Sequence, residues 1–209
     1  MQKSVLSVAQ SQIGVKESPA NSNNVKYNTW YYGRKVSGSA YPWCAVFIAW
    51  CFNDIGILSN IGGVKNKAYC PSYVEWAKAQ KRWDKKPSKG ALALFDWNHD
   101  GVADHIGIVE SIKNSSTIVT IEGNTSYGND SNGGEVMRRT RYVGDVLGYI
   151  HVTIYEPTQD NSKVPSPVGT ATVNVYGSHG SGTNERWALD SDMTVWVPKR
   201  VCKNYKKRG

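Results

Sequence analysis

Ser37–Gly56 reads SGSAYPWCAVFIAWCFNDIG, and the meaning of this stretch governs the rest of the chain. From Cys44 to Phe52 the residues are apolar on every side, the pattern of a helix enclosed within a domain. Pro42 suits its first turn, and Asn53, Asp54 and Gly56 suit its end. A cysteine, Cys44, stands at the entrance. Cys51 lies seven residues further on, about 10.5 Å along a helix axis. A disulfide tolerates a Cα separation below about 7 Å, so these two thiols cannot pair. Cys44 is either packing or a nucleophile.

Working outward, MQKSVLSVAQSQIG reads as an amphipathic helix with Val5, Leu6, Val8, Ala9 and Ile13 apolar. The following segment, GVKESPANSNNVKYNTWYYGRKVSGSA, is rich in Gly, Asn, Ser and Pro and reads as a long loop. Loops of this length usually have a task, and Tyr27, Trp30, Tyr31 and Tyr32 are placed to line a groove. After the enclosed helix come a loop, SNIGGVKN, and a second helix over Ala68 to Gln80 with Pro71 and Ser72 near its start. From Gly90 the character changes. GALALF, HIGIVES, STIVTIEGN and VLGYIHVTIY are β-like runs, separated by turns such as DWNHDG, IKNSS and GNDSNGG. Helices followed by four or more strands predict an α+β domain with an antiparallel sheet. That domain closes near Tyr155. Residues 156–169 form a linker by composition, and residues 170–209 form a small β-like segment, with TVNVYG and MTVWVP as short runs.

The chain of 209 residues carries a formal net charge of +8, eight tryptophans and twelve tyrosines. Basic residues gather at Lys78, Lys81, Arg82, Lys85, Lys86 and Lys89, and again at Lys199, Arg200, Lys203, Lys206, Lys207 and Arg208. Such a balance favours polyanionic partners or simply a solvated surface. No nucleic-acid-binding motif accompanies it, so nucleic acid is not an expected partner. No run approaches the ~20 apolar residues of a membrane span, and no membrane insertion is expected. The amino terminus has no apolar core of a signal peptide. The expectation is a protein made in the cytoplasm that leaves by a route needing no such signal. The spacing of Cys44, Cys51, Cys70 and Cys202 matches no zinc site, and the thiols read as free.

A cysteine nucleophile needs a base within reach and a third group to orient that base. A helix amino terminus favours the thiolate. Cys44 has that location; Cys51 reads as core, and Cys70, opening the second helix, competes with Cys44. His105 begins HIGIVES, in which Ile106 and Ile108 point to one face while His105 and Gly107 point to the other. Gly107 leaves room for another group to approach. In TIVTIEGN, Val119 and Ile121 share one face and Thr120, Glu122 and Asn124 the other. A hairpin joining these strands sets Glu122 or Asn124 beside His105, where a carboxylate would fix the imidazole tautomer.

YPWCAVFIAW, DHIGIVES and IEGNTS, with QIGVKE upstream, resemble the cysteine, histidine-dependent amidohydrolase/peptidase (CHAP) domain of bacterial and phage cell-wall hydrolases. The resemblance spans residues 1–155. It implies a papain-like α+β fold with Cys44 as nucleophile, His105 as base, Glu122 orienting the base and Asn124 as a fourth polar member. It implies peptidoglycan as substrate, cut at an amide of the stem or cross-bridge peptide or between muramic acid and L-alanine, as a phage endolysin cuts it. Anionic wall polymers would suit the positive charge. The alternative is a non-catalytic wall-binding module on the same scaffold, and residues 170–209, with Tyr176, Trp187 and Trp196, are a candidate wall-binding element.

DWNHDGVADH raises a separate expectation. Asp96, Asn98 and Asp100 alternate, Gly101 permits a sharp turn, and Asp104 follows. With the carbonyl of Val102, these reproduce positions 1, 3, 5, 6, 7 and 9 of a calcium-binding loop. Gly107 stands where the twelfth-position glutamate would be. A Ca2+ ion here would sit directly before His105; an Asx-rich turn is the other reading.

Overall fold

The computed structural model describes residues 3–129, 132–152 and 154, and the backbone of 177–179, 186–188 and 196–198. Two compact units divide the chain, Met1–Thr158 and Gln159–Gly209. The first contains α1 (Val5–Ser11), α2 (Lys26–Tyr32), α3 (Cys44–Asp54) and α4 (Cys70–Ala79). Its strands are β1 (Trp83–Asp84), β2 (Leu92–Phe95), β3 (His105–Asn114), β4 (Thr117–Thr125), β5 (Glu135–Tyr142) and β6 (Val146–Ile150). They form one sheet in the order β1-β6-β2-β3-β4-β5 with every pairing antiparallel. This is the α+β architecture expected. No helix among the described residues is long and apolar enough to cross a membrane.

In the second unit, β7 (Gly177–His179), β8 (Arg186–Ala188) and β9 (Trp196–Pro198) pair antiparallel. The linker at 156–169, the second basic cluster and Tyr176 lie outside the described residues, as do the side chains of Trp187 and Trp196.

The middle of the sheet, β2 and β4 with the first half of β3, is buried on both faces. Leu92, Leu94, Ile106, Ile108 and Ile121 join the main core with α1 and α3. Ala91, Ala93, Phe95, Val109, Ile118, Val146 and Tyr149 form a second cluster. These two sets follow the strand alternation. α3 is enclosed as its composition required, with Cys44–Ala49, Cys51 and Phe52 all buried. Gly123 permits the close approach: a Cβ there would stand 2.7 Å from Phe47 Cβ and Trp43 Cζ3.

Three expectations need correction. The segment read as a long loop contains α2. Tyr27, Trp30 and Tyr31 recur at i, i+3 and i+4, the helical spacing, and Gly33 closes the helix in the left-handed region at φ 68°. Tyr27 is therefore not a groove residue. It is fully buried, 5.4 Å from the Trp43 ring and 5.1 Å from Phe47. Trp30, Tyr31 and Tyr32 stay half-exposed. The second long helix starts at Cys70, the residue expected to open it. And EVMRRTRY, not among the expected strands, is β5. Its edge is covered by the amino-terminal segment: Gly14 N donates to Val136 O, and Val136 N donates to Val15 O, each at 2.9 Å.

Candidate active site

The β3–β4 hairpin supplies the polar core of the site. Ile108 pairs with Ile121 and Val109 with Thr120, so His105, Gly107, Thr120 and Glu122 share a face. A Cβ on Gly107 would meet Glu122 Cγ at 2.6 Å; the missing side chain is the space the carboxylate occupies. His105 Nε2 donates to Glu122 Oε2 at 3.0 Å, and both side chains are fully buried.

Arg141 on β5 completes this group, and sequence reasoning missed it. Its Nε donates to Glu122 Oε1 at 2.8 Å, and its Nη2 donates to Oε2. The Thr120 hydroxyl donates to Oε1 as well. Glu122 thus accepts four hydrogen bonds, the capacity of an ionised carboxylate. Burial alone would push its pKa up, but the bonds and charges of Arg141 and His105 outweigh it and hold the group at about 2. A carboxylate in that state can only accept, so Nε2 of His105 carries a proton and Nδ1 is the nitrogen left for exchange. Nδ1 is buried and has no hydrogen-bond partner among the described residues.

An aromatic wall shields this ion pair. Phe95 and Trp97 stack at 4.8 Å with 9° between their planes. Their centroids lie 6.0 and 6.2 Å from the His105 ring, and the Arg141 guanidinium sits 4.8 Å from the Trp97 centroid. Excluding water here strengthens each polar contact.

Cys44 enters from α3. Trp43 is the residue before the helix, and its indole Nε1 donates to buried Glu17 Oε1 at 2.7 Å. Glu17 is tied in turn to Gly134 by its backbone N–H at 3.0 Å, which gives QIGVKE a part in setting the helix entrance. The thiol of Cys44 lies well below its ordinary range. The first cause is a hydrogen bond from Cys70, opposed by burial; the charge of His105 and the N–H of Ala45 follow. Burial pushes His105 down, but the Cys44 thiolate and Glu122 outweigh it and raise the imidazole to about 9. The pair is therefore set up as thiolate and imidazolium, with shifts that belong to both groups together.

The sulfurs of Cys44 and Cys70 are 3.7 Å apart. The Tyr73 hydroxyl explains the placement: its one proton is shared between Ala45 O at 3.1 Å and Lys67 O at 3.3 Å, joining the first turns of α3 and α4. Cys44, Cys51 and Cys70 are all free and buried. Asn124 is buried at a β-bulge in β4, in the left-handed region at φ 58°, and its Nδ2 donates to Asn132 Oδ1 at 3.2 Å. Of the two, Glu122 is the residue seen hydrogen-bonded to His105.

The loop after β2 is closed by its own amides. Asp96, buried, accepts from Gly101 N at 2.9 Å and from Asp100 N at 3.2 Å. Asp100 accepts from Val102 N at 2.8 Å and from Asn98 Nδ2 at 3.0 Å, and Asp104 accepts from Trp97 N at 2.8 Å. No three Asp, Glu, His or Cys side chains among the described residues gather as a metal cluster.

A second chain of catalytic residue types lies elsewhere: Ser88 Oγ is 3.1 Å from His151 Nδ1, and His151 Nε2 is 2.9 Å from Asp84 Oδ1. Asp84 is about half exposed and also accepts from Lys86 N at 2.8 Å. Water competes for every bond in this chain. It fastens β1 to the following loop.

Residues 36–124 match the family model of the CHAP domain, a span that includes Cys44, His105, Glu122 and Asn124. That family is the one this chain's three motifs resemble. Among solved structures, the chain is similar to an N-acetylmuramoyl-L-alanine amidase from Staphylococcus aureus, with 16% identity and a TM-score of 0.36 over 53% of this chain and 30% of that one. It is similar to Ly7917, with 13% identity and a TM-score of 0.43 over 72% and 61% of the two chains. It is also similar to the endolysin LysIME-EF1, with 11% identity and a TM-score of 0.45 over 98% and 88%. This chain thus spans under a third of the amidase's length. No curated protein matches its sequence.

Proposed function

We propose that this CHAP-domain chain hydrolyses an amide bond of peptidoglycan by cysteine nucleophilic catalysis, and that it acts at the bacterial wall as an endolysin does. The observation that supports this reading is the continuous polar path Arg141–Glu122–His105, which ends at an imidazole electrostatically coupled to a helix-start thiolate. A structural histidine has no need of a saturated carboxylate on one side and an open nitrogen on the other.

The chemistry follows from that arrangement. The Cys44 thiolate attacks the amide carbonyl, and the backbone N–H groups at the start of α3, which have no partner within the helix, face the developing oxyanion. His105 then gives its Nδ1 proton to the departing amine, leaving a thioester. Water, deprotonated at the same nitrogen, resolves it. Glu122 keeps Nε2–H in place throughout, and Arg141 keeps Glu122 ionised. The bond is an amide of the stem or cross-bridge peptide, or the one between muramic acid and L-alanine. Groove contacts, not the nucleophile, select between them.

The test uses purified walls and Cys44→Ala. Wild type releases muropeptides whose new termini, read by mass spectrometry, identify the bond. Cys44→Ala releases none above background while still sedimenting with walls. Equal lysis by both proteins overturns the reading, and a wall binder without chemistry shows no release from either.

The loop at 96–104 supports a further part of this reading, a Ca2+ site built on Asp96, Asn98, Asp100, Asp104 and the carbonyl of Val102. Hard oxygen donors at alternate positions suit Ca2+. Asp96 already draws the loop inward through the amides of Asp100 and Gly101. Bound there, the ion would neutralise the loop's carboxylates and stiffen the approach to His105.

A further inference from the structure

The hydrolytic mechanism uses one thiol, yet two meet at the site. Cys44 and Cys70 open separate helices, and their sulfurs stand 3.7 Å apart with no bond between them. The Tyr73 hydroxyl, bound to the carbonyls of Ala45 and Lys67, holds the two helix starts together. Cys51, the third described thiol, sits two turns inside α3, out of reach of Cys44 by the helix rise. A disulfide has an S–S length of about 2.05 Å, so closure requires the sulfurs to approach by roughly 1.7 Å. Both side chains are unbranched, so rotation about their Cα–Cβ bonds is the movement that closure calls for.

We propose that Cys70 is the resolving thiol of Cys44, so that oxidation by a hydroperoxide closes a reversible Cys44–Cys70 disulfide and switches the site off. In the first step the Cys44 thiolate attacks the peroxide. An S–O bond forms, the O–O bond breaks, sulfur is oxidised to the sulfenic acid, and the peroxide leaves as an alcohol or water. In the second step Cys70 sulfur attacks Cys44 sulfur. The S–S bond forms, the S–O bond breaks, and hydroxide leaves as water with the Cys70 proton. The net change is two thiols and one hydroperoxide giving one disulfide, one alcohol or water, and one water.

The surroundings favour this order. Thiolate character selects the sulfur that is oxidised first, and Cys44 is the one pulled down, by its bond from Cys70 and by His105. Cys70 is pushed well up, first by its bond to Cys44 and then by burial and the charge of Cys44. Once Cys44 is a sulfenic acid, the negative charge holding the Cys70 proton is gone, and the second thiol is freed to react. Capture by a neighbouring thiol also prevents oxidation to the irreversible sulfinic acid.

The loss of activity rests on the hydrolase reading; formation of the bond does not. The experiment treats the reduced full-length protein with hydrogen peroxide, quenches with N-ethylmaleimide, and combines a non-reducing peptide map with a wall-lysis assay. Expected is a cross-linked peptide pair containing Cys44 and Cys70. Lysis falls by about an order of magnitude or more and returns with dithiothreitol. In Cys70→Ala, compared with its own reduced form, the same treatment yields Cys44 sulfinic acid and a loss that dithiothreitol does not reverse. A wild-type map with no such cross-link, and Cys44 recovered as thiol or sulfinic acid, overturns the proposal without need of any variant. A cross-link in a protein that is inert toward walls when reduced overturns the hydrolytic function and leaves the pairing standing.

Discussion

At the scale of single residues, Glu122 decides the state of the site. Its four accepted bonds fix His105, and His105 with Cys70 fixes Cys44. Glu122→Gln removes the charge that helps hold the imidazole at about 9. On the proposed mechanism, wild-type activity toward wall fragments is expected to fall on the alkaline side as pH rises through about 9, where the imidazolium loses its proton. In Glu122→Gln that limb moves to lower pH. The variant also leaves the buried Arg141 charge without its carboxylate, at a cost of roughly 3–5 kcal/mol. A pH profile of kcat/KM separates the two effects, because a merely structural loss lowers the curve without moving its limb. Linkage gives the stability signs. His105, raised from 6.5, contributes stability that is full below 6.5 and lost as pH climbs through about 9. Glu122, lowered from 4.5, contributes stability that is full above 4.5 and lost as pH falls through about 2. Cys44, His105 and Glu122 could be picked out in the sequence because strand alternation and helix position act over a few residues. Arg141 and the closeness of Cys70 could not, since each depends on how two elements far apart in the chain are laid side by side.

At the scale of elements, local pattern served best where one face was apolar. α1, α3, β3 and β4 announce themselves through spacing. β5 did not: its covered positions include Arg141, and an arginine buried on a carboxylate looks like any exposed arginine in a one-dimensional pattern. α2 was hidden by the polar run before it, although its aromatic spacing was helical. The loop at 96–104 is the element whose role is most open to experiment. If it takes Ca2+, saturating the ion at about 100 times its dissociation constant adds roughly 2.7 kcal/mol. For a unit of this size that is a rise in melting temperature of roughly 5–10 °C. Chelation reverses the rise and slows wall lysis, and calcium added back restores both. Asp96→Asn removes the dependence. A melting curve and a lysis rate that ignore both chelator and calcium leave the Asx turn as the whole explanation of the motif.

At the scale of the molecule, the division near residue 158 separates the unit that holds Cys44, His105 and Glu122 from a smaller carboxy-terminal unit. The first unit is tied together by its last described residue. Ile154 O accepts from Val5 N at 2.7 Å, and the Ile154 side chain fills the space that a Cβ on Gly90 would need. A truncation must therefore spare Ile154, and removal of residues 159–209 does so. The three short strands of the second unit fall in a chain segment carrying Trp187, Trp196 and a run of lysines and arginines. Aromatic and cationic groups together suit a sugar-rich, anionic wall surface. The truncated protein is expected to keep its melting temperature and its rate on soluble muropeptide fragments. Its sedimentation with intact walls, and its lysis of them at low protein concentration, should both fall, and the fall should narrow as salt weakens full-length binding. Binding that is unchanged by the truncation would assign wall recognition to the catalytic unit itself, where the half-exposed Trp30, Tyr31 and Tyr32 of α2 are the next side chains to alter.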